Sequence, residues 1–293
     1  MKKIKEKILN ILTLGGYKRR KRPSKIENYT KDLRELTLNY QTQELQKKHK
    51  NPLNRFGKKC FSQTDEDGIT IEILKRIGCL EGGSFAEFGP GDGMENNTLI
   101  LRALGWKGFW VGGENLLIST KTNEQFSFIM EFVTIKNIIE LVLKGKKEVK
   151  CNDLDVISFD LDGNDLYLVD ELLKNNFRPK LFIVEYNGKF PPPIKWSITY
   201  NEKHIWDGSD YYGASLASFN ELFEKNNYKL VCCNSHTGSN AFFVKKEFEE
   251  LFEDVPKDIN DIYVSPRYFL HNVYGSNSFS HNQSVKTINK LFE

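Results

Sequence analysis

The sequence predicts an α/β fold: a Rossmann-like, open, mostly parallel seven-stranded sheet with helices on both faces and an antiparallel hairpin at one edge. Three observations predict it. From residue 83 onward, short apolar runs alternate with segments of helical periodicity. A glycine-rich turn, Gly89-Pro90-Gly91-Asp92-Gly93, joins the first run to the first helix of that series. The last two runs, 228–233 and 241–244, are separated only by a turn and must therefore pair antiparallel.

Taken in order, Ile4, Ile8, Ile11 and Leu12 recur at helical spacing among lysines, and a basic cluster follows over 18–25. Residues 1–60 carry 18 Lys/Arg against 5 Asp/Glu, a local balance of +13, although the whole chain of 293 residues is only +3. The segment is therefore physically distinct from the body. It reads either as a peripheral contact of residues 1–25 with an anionic membrane face or as a solvated tail. Nucleic acid is not expected, since Tyr17 is the one aromatic residue at the cluster. Residues 31–50 predict a second helix, polar and poorly patterned.

Ile69, Ile71, Ile73, Leu74 and Ile77 predict a helix ending at Gly78. Strands follow at 83–88, 109–111, 128–133, 155–159 and 180–185. Helices lie between them near 97–104, 135–143 and 165–175, with Gly105 placed for a left-handed cap. The continuous apolar character of 180–185 suits a strand covered on both faces. Residues 188–212, with Pro191, Pro192 and Pro193, form an irregular stretch of the length that lids and binding loops have. A helix over 214–226 precedes the terminal hairpin. The implied organisation is a basic helical extension (1–58), one α/β domain (59–250) and a C-terminal extension (251–293).

At 39% apolar content the chain can bury a sizeable core. No stretch approaches the ~18–20 apolar residues of a membrane span. The N-terminus resembles a signal peptide only faintly and shows no cleavage site. The five cysteines (Cys60, Cys79, Cys151, Cys232 and Cys233) lack a regular spacing, so they read as buried structural thiols in a reducing compartment. The expectation is a cytoplasmic protein, peripheral to the inner membrane face if residues 1–25 dock there.

Ligands of such sheets bind at the carboxyl ends of the strands, and the chemistry-bearing residues lie there. The turn is spaced G-x-G-x-G, with Met94 where the dinucleotide fingerprint wants its third glycine. Glu87, an acid inside the preceding strand, would repel a pyrophosphate but suits the amino group of S-adenosylmethionine. Glu114, after the second strand, is the carboxylate available to ribose hydroxyls. Asp160, Asp162 and Asp165 close the fourth strand, with Asp160 and Asp162 on one side. One of that pair is placed to orient the cofactor's amino acid part, the other to act as general base on an acceptor hydroxyl. A divalent ion on Asp160, Asp162 and Glu185 is the competing use of the same oxygens. Asp165 reads as the cap of the next helix. Glu185, charged at the end of an apolar strand, is an alternative base, and Tyr186 and Asn187 beside it are candidate acceptor contacts. His204 and Tyr212 are candidate acceptor contacts in and after the long loop, though His204 also reads as a surface histidine. No Ser-His-Asp grouping, CxxC or ligand-spaced histidine pair is present.

These residues resemble a known family. Phe61-Ser62-Gln63 with Glu66-Asp67-Gly68, Glu87 to Thr98, Gly105 to Gly108, Ser158 to Asp165, Val184 to Asn187, Tyr212 to Leu216 and Asn240 to Val244 are similar to the FkbM-like class I methyltransferases. Members are often found among enzymes of surface polysaccharide synthesis. The resemblance implies S-adenosylmethionine around Glu87 to Gly93, bordered by Ser62 and Gln63. It also implies an acceptor site near Asp160, Asp162 and the Glu185 loop. Where members often place an acid two residues before Glu114, this chain has Gly112. The expected activity is O-methylation of a carbohydrate or surface-polysaccharide precursor. N-methylation of a small polar acceptor, and a non-catalytic module whose basic N-terminus contacts a membrane, are the alternatives. A nicotinamide-dependent oxidoreductase is a third.

Overall fold

The structure is a computed structural model, and it describes residues 25–118, 123–266, 285, 288 and 289. The basic helix expected over residues 4–12, and the cluster 18–25 apart from Lys25, lie outside the described residues. Contacts divide the chain between Asn39 and Tyr40.

Helix α1 spans Lys25–Lys48 and so begins earlier than the polar segment predicted it. A short 3-10 turn, Pro52–Phe56, follows it. Residues 40–58 are tied to the sheet rather than to the extension. The Asn51 side chain donates to the Val231 carbonyl (2.7 Å), and that of Asn54 to the Cys233 carbonyl (2.8 Å).

Helix α2, Glu66–Arg76, presents Ile69, Ile73 and Leu74 to the core. The alternating series is β1 (Ser84–Phe88), α3 (Leu99–Ala103), β2 (Lys107–Gly112), β3 (Phe126–Met130), α4 (Ile138–Glu148), β4 (Val156–Phe159), α5 (Asp165–Lys174), β5 (Leu181–Glu185), α6 (Leu216–Lys225), β6 (Tyr228–Cys233) and β7 (Asn240–Lys245). A 3-10 segment, Lys246–Phe252, and a short helix α7, Ile259–Ile262, close the described fold.

The seven strands lie in the order β3-β2-β1-β4-β5-β7-β6. All pairs are parallel except β5–β7 and β6–β7, so the hairpin enters at the β5 edge, as its short connection requires. Central strands β1 and β4 are buried at every position, the mark of a sheet covered on both faces. Aromatic pairs fill the layers. Phe88 stacks on Phe159 (centroids 4.7 Å), and Phe223 on Phe243 (4.1 Å). Each fully buried Phe is worth about 1.5–3 kcal/mol of apolar burial.

The chain order reverses between β1 and β4. Tips of both strands, with those of β2 and β5, therefore open on one crevice. Cys79, Cys232 and Cys233 are buried as expected, whereas Cys60 is exposed. No described helix is long and apolar enough to cross a membrane.

Candidate functional site

The turn after β1 is held from both sides. Gly89 N–H donates to the Val111 carbonyl of β2 (2.9 Å), and Asp160 N–H donates to the Phe88 carbonyl (2.9 Å). Gly89 has φ +88, and a Cβ there would stand 1.8 Å from the Asp160 carbonyl oxygen. Glycine is thus required for conformation and for the closeness of the two strand tips. Gly112 is tightly placed: a Cβ there would stand 3.0 Å from the Pro90 ring, which would have to give way. Gly91 faces open space, with nothing within 4 Å of where its Cβ would be. The top of the turn is therefore free for a ligand to approach the backbone.

Glu87 is 1% exposed and turned inward. Its carboxylate accepts from Asn97 N–H (2.8 Å), Thr98 N–H (3.1 Å) and the Thr98 hydroxyl (2.5 Å). The same hydroxyl accepts from the Trp110 indole (2.9 Å). Burial pushes the Glu87 carboxyl up to about 7 despite these donors. The oxygens of Glu87, expected as a cofactor contact, anchor the start of α3 in this structure. Asn97 and Thr98, which hold it, were not singled out in the sequence.

Asp92 accepts from Met94 N–H (3.0 Å), and its carbonyl accepts from Leu117 N–H, which docks the segment after β2 onto the turn. Gln63 is exposed and Ser62 buried. The Ser62 hydroxyl donates to Asp67 (2.9 Å), and the Phe61 carbonyl accepts from Asn96 N–H (3.3 Å). The loop bearing Ser62 and Gln63 therefore borders the glycine turn, with Gln63 its accessible member.

Asp160, Asp162 and Glu185 come together at the tips of β4 and β5. One carboxylate oxygen from each lies within 4.8 Å of the others. All three are partly buried, and the Asp160 and Glu185 carboxyl groups hydrogen-bond each other. Asp162 has φ +52, in the left-handed region that non-glycine residues avoid. Burial, then the charge of Asp165, pushes Asp162 up to about 6, and Glu114 adds to the rise. Burial and the charge of Asp162 hold Asp160 well above the usual carboxylate range. Burial and Asp160 do the same to Glu185. Glu114 is exposed and faces this group at the same end of the sheet.

Asp165 corrects its reading as a cap of the following helix. It is the first residue of α5, and its carboxylate accepts backward from Leu161 N–H (2.9 Å) and Gly163 N–H (3.0 Å). It fixes the loop that carries Asp162.

The stretch 188–212 straps across this loop. His204 Nε2 is 3.2 Å from the Asp162 carbonyl, and a Cβ on Gly163 would meet the imidazole at 2.6 Å. Asn164 and Asn201 exchange hydrogen bonds (2.8 and 3.2 Å), and the Tyr167 hydroxyl donates to the Ile198 carbonyl (2.7 Å). Lys189 pairs with the buried Asp210. His204 is therefore a partly exposed loop group beside the carboxylates.

Tyr186 and Asn187, expected as acceptor contacts, are both 0% exposed in this structure. The Tyr186 hydroxyl donates to the Val264 carbonyl (3.2 Å). Asn187 donates to the carbonyls of Asp210 and Tyr212 (3.0 Å each), closing the base of the long loop. Tyr212 is 9% exposed, with its ring edge-on to Trp206, so its part is to shape the loop. Asn240, opposite Glu185 in the sheet register, is buried, and its Oδ1 has no partner among the described residues.

No protein-family model and no curated protein matches the chain. Among solved structures it is similar to magnesium protoporphyrin IX methyltransferase from Synechocystis PCC 6803 with bound SAM. Identity there is 12% over 61% of this chain and 77% of that one, with TM-score 0.35. It is also similar to human N-acetylserotonin methyltransferase in complex with SAM, at 10% identity over 62% of this chain and 56% of that one, TM-score 0.34. Identities and TM-scores this low carry no activity across. The strand order itself, 3-2-1-4-5-7-6 with β7 antiparallel, makes this a Rossmann-like, mostly parallel sheet.

Proposed function

We propose that this protein transfers a methyl group from S-adenosylmethionine to an oxygen of a small polar, carbohydrate-type acceptor. The observation that carries the reading is the set of carboxylates at Asp160, Asp162 and Glu185, beside a glycine turn whose Gly91 opens to solvent. The residues fit the cofactor: a cationic amino group and sulfonium suit a crevice whose ionisable lining is acidic, and a phosphate would be repelled there. Asp160 would take the amino group in place of Glu87. Gln63 and the Gly89–Gly93 backbone would border the cofactor, and Glu114 would accept from the ribose. When bound, the cofactor supplies an already activated methyl group.

The chain's own part is positioning and proton removal. Asp162, with its pKa near 6, is ionised at neutral pH and more basic than an ordinary aspartate, as a general base should be. The strap over 188–212, pinned by Asn164, Tyr167 and Asp210, would exclude water from the acceptor. Isothermal titration of the pure protein with S-adenosylmethionine tests the reading, and absence of a binding isotherm would sink it.

A divalent cation on the same oxygens is the second reading, favoured by their lying within 4.8 Å of one another and by the Oδ1 of Asn240, unpartnered among the described residues, across from Glu185. Turnover that is lost in chelator and restored by magnesium or manganese supports it. Turnover indifferent to chelator removes it and leaves the base reading intact.

A further inference from the structure

Helix α1 carries a feature that the methyl-transfer reading does not use. Its exposed large apolar residues are Ile26, Tyr29, Leu33, Leu36 and Tyr40, exposed by 76, 69, 63, 66 and 65%. Their spacing alternates three and four residues, which is the a/d repeat of a coiled coil. A helix of 3.6 residues per turn gathers such positions into one narrow seam.

We propose that this seam is a self-association surface, on which α1 of a second copy of the chain lies parallel. The seam is too narrow for a helix resting on lipid, which needs a broad apolar face and a basic flank. Its flanking positions, Lys25, Thr30, Asp32, Thr37 and Asn39, carry one positive and one negative charge. Parallel pairing sets Lys25 near Thr30 and Asp32 near Thr37 of the other copy, so no like charges meet. The threonine hydroxyls ask nothing of a partner, because they already donate to the carbonyls of Ile26 (2.9 Å) and Leu33 (2.8 Å) one turn back. Identical seams are self-complementary about a two-fold axis, with Leu33 on Leu33 and Tyr40 on Tyr40. Five such side chains offer roughly 600 Å² per chain, so a pair buries about 1,200 Å², the lower edge of stable interfaces.

Sedimentation equilibrium of the full chain, from low to high micromolar, tests this. The expected result is a concentration-dependent species of twice the 34.0 kDa chain mass. Leu33→Glu with Leu36→Glu should weaken that association at least roughly 100-fold. Both side chains are solvent-exposed, so the variant's circular dichroism and melting temperature should match the parent's. Ile26→Cys should form an inter-chain disulfide under oxidation in a Cys60→Ser background, since parallel pairing puts the two Ile26 positions side by side. A monomer at every concentration overturns the proposal. So does a dimer untouched by the double substitution, or loss of vesicle flotation as that variant's only defect.

Discussion

Two groups of carboxylates lie within reach of the same crevice, and they are treated in opposite ways. Asp65, Glu66 and Asp67 are buried at the start of α2, and each is met by donors. Asp67 Oδ2 alone accepts from the N–H groups of Cys60, Phe61 and Ser62 (2.6–2.8 Å) and from the Ser62 hydroxyl. Glu66 accepts from Thr64, Asn234 and Asn240, and Asp65 from the N–H groups of Ser235 and His236. Asp160, Asp162 and Glu185 face one another instead, with Asp160 and Glu185 in a shared hydrogen bond. A buried anion supplied with N–H groups organises the chain around it. One left to face its own kind is costly, and it persists where a ligand, a proton or a cation completes it.

If that contrast is right, substitution should separate activity from stability. The largest effect expected is at Asp162. Asp162→Asn keeps the shape and removes the base, so methyl transfer should fall about 10²–10⁴-fold. Thermal stability should hold or rise, since a repelling charge is gone. Single-turnover assays with saturating cofactor, read beside calorimetry, check it. Full turnover removes the base assignment while leaving cofactor binding in place.

Asp67→Ala is the converse. Four donors around one oxygen lose their acceptor, at about 3–4 kcal/mol of stability, because each stranded group carries its own desolvation penalty. Urea unfolding measures it. Loss of turnover with unchanged stability would move Asp67 into the functional group and erase the distinction.

Much of the frame was legible before any coordinate. The runs at 83–88, 155–159 and 180–185 hold strands β1, β4 and β5, buried at every position but Glu185, and continuous hydrophobicity is the signal such strands leave. The glycine turn was legible because Gly89, with φ +88 and the Asp160 carbonyl against it, answers a local steric demand. What escaped has a common cause, distance along the chain. Asn240 meets Glu66 across 174 residues, and no local spacing encodes that. Glu87 looked like a ligand contact because position alone does not show where a carboxylate's donors come from. Tyr186 and Asn187 looked accessible because strand-end residues often are, yet the long loop and residues 263–264 fold over them. Helix α1 looked poorly patterned because its apolar residues were sought as a core-facing face, whereas they form an outward seam.

Glu87 sharpens the comparison through pH. Its folded pKa, about 7, lies above its unfolded value near 4.5, so the folded state holds the proton more tightly. Its contribution to stability is therefore full below pH 4.5 and is lost as pH rises through 7, by up to about 3 kcal/mol. Asp162 and Asp165 add in the same direction. Denaturant midpoints should fall between pH 5 and 7, and Glu87→Gln should flatten part of the slope. A slope unchanged by that substitution would place the titration at the other buried carboxylates, Glu66 and those at the β4 and β5 tips.

The smallest effect is the most discriminating. Glu185→Gln conserves volume and the capacity to accept a hydrogen bond, and it removes a charge that faces Asp160 and Asp162. A structural carboxylate with donors loses stability on such a change; one surrounded by other carboxylates gains it. The expected gain is about 1 kcal/mol, or about 2–3 °C for a chain of this size. It should come with weaker turnover if Glu185 serves the acceptor or an ion. A lower melting temperature would show that Glu185 has donors of its own, and would move it from the second group of carboxylates to the first.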